Sequence, residues 1–397
     1  MKHKNELKYP LSEVKGVANK YLYLEDDSII DVMIATHFAN QLDTDPIWLL
    51  NIAPSSNAKT ELLRAFNDHP NTYFLSNLTA STLISGQKNK NKSNPSLLFS
   101  LDGKTLILKD FTTILSMRHE QRQEVIAQLR EVYDGSYSKA FGTGETISWN
   151  GHVGLIAACT PIYDRYYGVI GTMGDRFLLY RSNNNNTEKM GELAQDTVGQ
   201  ESGMREALKT SVHKFINQLD TTKNIKFKKD ETVHKQIVYL ACFCAYARCP
   251  VDRDSYSRHV LYQPEPEGPA RLVKQFTQLG MALAMIHSKN IIDLQTYEII
   301  KRIGRDLIST QRLKILKFLW DKRAFEHLKH WQRTKEISNG VNMPVNTSML
   351  LLEDLMTVGV LRRELEDPDL EKSPYLWQIA DQIYKWISYA EVFESSI

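Results

Sequence analysis

The sequence predicts an α/β fold: a mainly parallel sheet layered with helices, then a helical stretch, then a small terminal module. Three observations predict it. Up to residue 182, short apolar runs of strand length alternate with helical periodicity, the pattern of parallel strands joined by crossover helices. After four consecutive asparagines at 183–186 the periodicity is helical. From residue 309 the chain reads as helix, short turn, helix and extended hairpin, a winged helix-turn-helix pattern. The implied division is an N-terminal extension (1–25), an α/β core (26–182), a helical region (183–308) and a terminal module (309–397).

Length and composition agree with this division. At about 150 residues per domain, 397 residues suggest two or three domains. Hydrophobic residues make up 42% and charged residues 24%, which excludes collagen-like, mucin-like and wholly disordered chains. No apolar stretch reaches the roughly 18 residues of a membrane span. The charged start MKHKNELKYP lacks a secretory apolar region, so the expected location is cytoplasmic, without a membrane partner. Lys+Arg of 49 against Asp+Glu of 47 gives +2, a balance that does not itself announce a nucleic-acid binder. Four cysteines are no disulfide scaffold. Cys242, Cys244 and Cys249 read as small apolar fillers of a buried helix, because their C-x-C-x4-C spacing matches no common zinc pattern.

Taken in order, residues 26–45 read as an amphipathic helix with Ile29, Ile30, Val32, Met33, Ala35 and Phe38 apolar. A strand at 47–52 leads through the loop 53–58 into a helix at 59–66. Strands follow at 73–75 and 105–110, with a polar basic loop at 87–94 between them. A helix spans 118–133, with Val125, Ile126, Leu129 and Val132 on its apolar face. The alternating stretch 136–151, with its Gly-Thr-Gly turn, predicts a β-hairpin. Buried strands at 154–160 and 177–180 complete the core. Helices are expected at 187–220, 230–247, 268–287, 293–308 and 310–320.

The strand-loop-helix at 47–66 is the context a phosphate-binding loop requires. The loop Ala53-Pro54-Ser55-Ser56-Asn57-Ala58 leads into Lys59 and Thr60. Lys59 would reach β- and γ-phosphates, and the Thr60 hydroxyl would bind Mg²⁺. Both glycines of the usual G-x-x-x-x-G-K-[ST] pattern are alanine here, Ala53 and Ala58. The strand TLILKDF ends in Asp110, a carboxylate suited to hold Mg²⁺ beside the loop. The glutamate that commonly follows such an aspartate and activates water is replaced by Phe111. Glu120 and Glu131 are the alternatives on nearby helices.

The order of motifs resembles the MCM-like AAA+ ATPases of phages and mobile genetic elements of Gram-positive bacteria. The residues that carry the resemblance are the phosphate loop, the KDF strand, QLREVYDGS with its hairpin, the AACT strand, GDRF, GPARL and the C-terminal winged helix. It covers roughly residues 26–380. It implies an AAA+ P-loop ATPase core with an α-helical lid (183–308) and a C-terminal winged helix-turn-helix domain, using ATP and Mg²⁺. It further implies that Thr160 senses the γ-phosphate, that Arg176 acts on the neighbouring subunit's nucleotide, and that Arg271 acts from the lid. Lys139 on the hairpin would grip DNA in the pore of a homo-oligomeric ring, working beside a separate primase or replication protein. The expected function is a DNA helicase motor. The alternative is an ATP-binding assembly switch, such as a helicase loader, replication initiator or DNA-binding regulator, with weak hydrolysis. The absent glutamate and altered loop favour the alternative, and Arg176 and Arg271 favour the motor.

A basic stretch at 301–335 holds 11 Lys/Arg against three acids, with Phe318, Trp320, Phe325 and Trp331 interleaved. It reads either as a phosphate-neutralising patch or as a solvated helix face over core aromatics. The presumed recognition helix (346–357) carries Glu353 and Asp354 and no Lys or Arg, which argues against major-groove readout.

Overall fold

The computed structural model describes residues 8–84, 96–142, 144–172, 176–219, 227–254, 256–324, 330–370 and 373–393. The basic loop read at 87–94 lies outside them, as do Phe325, Glu326 and Lys329 of the basic stretch. The chain forms two compact units. The first comprises residues up to 228 together with 278–292, and the second 229–277 with 293–397. These boundaries differ from the four-part division read from the sequence, because neither unit is continuous in sequence. The helix Ala270–Ile286 contributes its first turns to the second unit and its remainder to the first.

The first unit is built on a five-stranded sheet, and the α/β expectation holds. Its strands are β1 (Trp48–Ile52), β2 (Thr72–Leu75), β3 (Lys104–Leu108), β6 (Val153–Cys159) and β7 (Phe177–Arg181). The hairpin strands β4 (Ser136–Ala140) and β5 (Thr146–Asn150) pair antiparallel between β3 and β6 in sequence. Spatial order is β2-β3-β6-β1-β7, all parallel. From β1 the chain runs to the far edge, returns inward through β3 and β6, then crosses β1 to reach β7. Adjacent strands β1 and β6 thus mark the point where the winding changes side. In open parallel sheets ligands bind outside the carboxyl ends at that point. Every residue of β1 and β6 is buried, as strands covered on both faces require.

The helix expected at 26–45 is shorter, Ser28–Ala39, and it is not amphipathic: Ile29 through Ala39 are all buried. The polar residues that suggested a solvent face are matched internally. Asp31 lies 2.5 Å from the Lys15 ammonium and 2.8 Å from Nε2 of His287. A buried carboxylate without such partners would be strongly destabilising. Asn40 caps the turn into β1, donating to Ile47 O and accepting from Ile47 N–H, both at 2.8 Å. Gly154 on β6 permits this, since a Cβ there would sit 2.3 Å from the Asn40 side chain. The N-terminal extension also holds a helix, Leu11–Tyr21, packed on the helix Glu201–Ile216. The long helix read at 187–220 is two, Thr187–Asp196 and Glu201–Ile216.

Three imidazoles form a chain of edge-to-face contacts under the sheet. His37 and His69 centroids are 5.3 Å apart, and His69 and His213 are 5.1 Å apart. His37 Nδ1 pairs with Thr105 Oγ1 at 3.0 Å, and His69 Nε2 pairs with Asn217 Oδ1 at 3.1 Å. Burial, reinforced by the neighbouring imidazoles, pushes His37 down to about 3 and lowers His213 as well.

The second unit carries the helices Glu231–Ala247, Leu294–Asp306, Thr310–Ala324, Thr334–Gly340, Val345–Thr357 and Asp381–Tyr389. Its sheet has the order β8-β10-β9, from β8 (Gln332–Arg333), β9 (Leu361–Leu365) and β10 (Tyr375–Ile379). Much of the basic stretch is occupied internally. Arg312 donates to the Ala247 and Cys249 carbonyls, Arg323 pairs with Asp381, and buried Lys301 pairs with Glu298. Trp320 is core. Glu353 and Asp354 of the helix Val345–Thr357 are held by Arg253 at 3.2 and 2.7 Å. Cys244 is buried and donates to Gly304 O, in keeping with the filler reading. Among the described residues, no helix is long and apolar enough to cross a membrane.

The imidazole chain predicts acid sensitivity. A histidine whose folded pKa is depressed contributes stability that is complete above its unfolded value near 6.5 and is lost as pH falls below it. Between pH 6.5 and 5, His37 alone should remove about 2 kcal/mol, at roughly 1.4 kcal/mol per pH unit. Equilibrium unfolding at a series of pH values checks this. The slope should be shallower by about one proton in His37→Gln, and equal slopes would refute the assignment.

Candidate functional site

The carboxyl ends of β1, β3 and β6 bring together most of the residues singled out in the core. After β1 the chain turns through Ala53–Ala58 and enters the helix Lys59–Arg64. Ala53 is buried and its N–H bonds to Cys159 O at 3.1 Å, so the loop starts pinned to β6. Asn57 is buried, and its side-chain oxygen accepts from Asn184. Asn184 also donates to Tyr23 O and accepts from Glu25 N–H. The asparagine run that marked a break in the sequence therefore braces the loop. Ser55 is exposed. Ser56 and Ala58 have φ of 64° and 56°, the left-handed region that L-residues enter at a cost of about 1–2 kcal/mol. The second glycine of the usual pattern is replaced at a position that still has the glycine conformation.

Lys59 Nζ donates to the carbonyls of Ala53 and Pro54. Burial lowers its ammonium, and the Asp110 carboxylate partly offsets that, so the two charges share one site. Thr60 follows Lys59 at the start of the helix. Asp110 lies just past β3, and its Oδ1 accepts the Thr112 N–H at 2.8 Å. Thr160 lies just past β6. Its N–H donates to Thr112 Oγ1 at 3.2 Å, and the two hydroxyl oxygens are 3.4 Å apart. Phe111, in the place of the expected glutamate, is buried against Phe177. Glu120 and Glu131 are both exposed, and Glu131 lies near the end of its helix, within electrostatic reach of hairpin residue Tyr137.

A cavity of about 390 Å³ adjoins the loop. Ser56 through Glu61 form one side. Met190, Leu193 and Ala194 form another, with Tyr21–Tyr23 and Met204 completing it. The helix Thr187–Asp196 has no buried residue, so its apolar stripe faces this cleft. Sequence reading missed this wall and Thr112. The stripe's signal was present, because Met190, Leu193, Ala194 and Thr197 are spaced i, i+3, i+4, i+7.

The remaining candidates are elsewhere. Arg176 immediately precedes β7, at the amino end of the sheet. Along a parallel sheet five residues deep that is about 15 Å from the carboxyl ends. Its guanidinium pairs with Asp134 at 3.1 Å and lies over Tyr133. Lys139 lies on the packed face of the hairpin, opposite Ile147, and pairs with Glu124 at 3.4 Å. Arg271 belongs to the second unit and pairs with Glu267, which Arg248 shares.

The donor set at the strand ends suits a hard cation shared with phosphate: one carboxylate, Asp110, and one hydroxyl, Thr60. Among the described residues, no group of three or more His, Cys, Asp or Glu could hold a metal alone. No protein-family model matches the chain, and no curated protein matches it.

The left-handed Ala58 yields a direct test. Ala58→Gly should raise stability by about 1 kcal/mol, since relief of strain outweighs the added freedom of the unfolded chain. Thermal unfolding of the two proteins measures it, and a lower midpoint for the glycine variant would contradict the assigned conformation.

Proposed function

We propose that this chain is a Mg²⁺-ATP-dependent AAA+ P-loop ATPase acting on DNA, an MCM-like motor of a phage or mobile element. The observation that carries the reading is the meeting of Lys59, Thr60, Asp110 and Thr160 at the carboxyl ends of three parallel strands, beside a cleft with an uncovered apolar wall. In this reading the cleft takes the base and ribose. Lys59 leaves its own loop carbonyls for the β- and γ-phosphates. Thr60 and Asp110 hold Mg²⁺, which neutralises phosphate charge and orients the transferring group. Thr160 contacts the γ-phosphate.

Arg176 lies at the opposite end of the sheet from its own loop, so it would serve a neighbour's nucleotide in a homo-oligomer. To do so it would leave Asp134 and its place over Tyr133. Arg271 would act from the lid. The hairpin, and a winged-helix module within residues 309–397, would meet DNA. A second reading, the ATP-binding assembly switch, is favoured by one observation: Phe111 fills the water-activating position with a buried ring.

Lys59→Ala should weaken Mg²⁺-ATP binding by about 100-fold, since charge-assisted bonds to phosphate are worth about 1.5–3 kcal/mol. Its circular dichroism should be unchanged. Unchanged affinity, measured by calorimetry, would remove the phosphate-loop assignment. Turnover measured across protein concentration, with and without single-stranded and duplex DNA, separates the readings. A motor gives DNA-stimulated, concentration-dependent hydrolysis. A switch gives binding with negligible turnover.

A further inference from the structure

Hydrolysis needs a group that orients the attacking water, and the usual carboxylate is missing. The other acids at the strand carboxyl ends are engaged. Glu61 is held by Arg64 at 2.8 Å and by Arg205 at 2.9 Å. Asp164 is held by Arg181 through two bonds of 2.9 and 2.6 Å. The Cys159 thiol is pushed up to about 11 by burial, so it stays protonated and is no base. Of the nearby hydroxyls, that of Thr113 is spent on Asp110 O at 2.8 Å, which leaves those of Thr112 and Thr160.

One of their hydrogen bonds has its direction fixed by the backbone. The Thr160 amide donates to Thr112 Oγ1 at 3.2 Å and takes one of that oxygen's two acceptor positions. Thr112 Oγ1 also lies 3.4 Å from Thr160 Oγ1 and 3.6 Å from Cys159 Sγ, either of which can accept its hydrogen. In the arrangement where Thr112 donates to one of them, the second lone pair of its Oγ1 is open as an acceptor. The residue itself is fixed, because its N–H is bonded to Asp110 Oδ1 at 2.8 Å. Thr112 as a whole is half-buried.

Resting on the ATPase reading, we propose that the Thr112 hydroxyl is the group that orients the attacking water. The water donates one hydrogen bond to Thr112 Oγ1, which aims its oxygen lone pair at the γ-phosphorus. A new P–O bond forms from the water oxygen. The bond from the γ-phosphorus to the bridging oxygen breaks, and its electron pair leaves with ADP. The proton lost by the water passes to a γ-phosphoryl oxygen, so no protein base is consumed. A neutral hydroxyl positions water without removing its proton. Turnover is accordingly slow and shows no break from a titrating base between pH 6 and 8.

Single-turnover hydrolysis of Mg²⁺-ATP at saturating protein, beside the affinity for a non-hydrolysable ATP analogue, tests this in the full chain. Thr112→Val should lower the hydrolysis rate 10- to 100-fold while leaving analogue affinity within about threefold, and Thr112→Ser should restore most of the rate. A valine variant with undiminished rate overturns the proposal, as does a serine variant no better than valine. Loss of affinity and rate together in Thr112→Val also overturns it, since that marks a structural role. A wild-type protein that binds ATP without hydrolysing it overturns the proposal and leaves the nucleotide site standing. A wild-type protein that binds no ATP removes both.

Discussion

Strand β1 is hydrogen-bonded on both edges, by β6 and β7, and buried along its whole length. That constraint organises the first unit. A strand so enclosed can present polar groups only where it ends. Its carboxyl end opens into the loop that holds Lys59, and its amino end sits under Tyr133 and Phe177 through Trp48. Because neighbouring strands run parallel, the ends of β3 and β6 arrive on the same side with Asp110 and Thr160. The polar residues of the candidate site collect at one rim of the sheet. The hairpin and Arg176 collect at the other.

The cations expected to meet phosphate all have internal partners in this structure. Lys59 bonds its own loop, Arg176 pairs with Asp134, Arg271 with Glu267 and Lys139 with Glu124. Such contacts keep partly buried charges satisfied without a ligand. They are also exchangeable, because a phosphate oxygen offers the same cation a charge-assisted bond of comparable or greater strength. Under the proposed function, the partners Asp134, Glu267 and Glu124 would set the threshold for engagement.

Local patterns were legible in the sequence and non-local ones were not. The strand-loop-helix at 47–66, Asp110 at a strand end and the hairpin all follow from short-range periodicity and turn residues. The helix Ser28–Ala39 was misread because Asp31 and His37 resemble solvent-facing residues. Their partners Lys15, His287 and Thr105 lie far away in sequence and come near only in the fold. That the two units are discontinuous in sequence, with the helix Ala270–Ile286 counting with both, likewise leaves no mark on any local pattern. Thr112 was overlooked because a hydroxyl in a KDFTT stretch carries no pattern until Thr160 is placed beside it.

The helix Glu201–Ile216 joins two features described separately. Its first turn lines the cleft through Glu201 and Met204, and its last turns carry His213 of the imidazole chain. Occupancy of the cleft and protonation of the chain therefore act on the same rigid element. Free-energy coupling between two such events is reciprocal. Any strain that an occupant places on this helix at its first turn is carried by the same rigid rod that seats His213 beside His69. The two ends of one helix thus serve two different interiors of the first unit, a cleft open to solvent and a buried row of imidazoles.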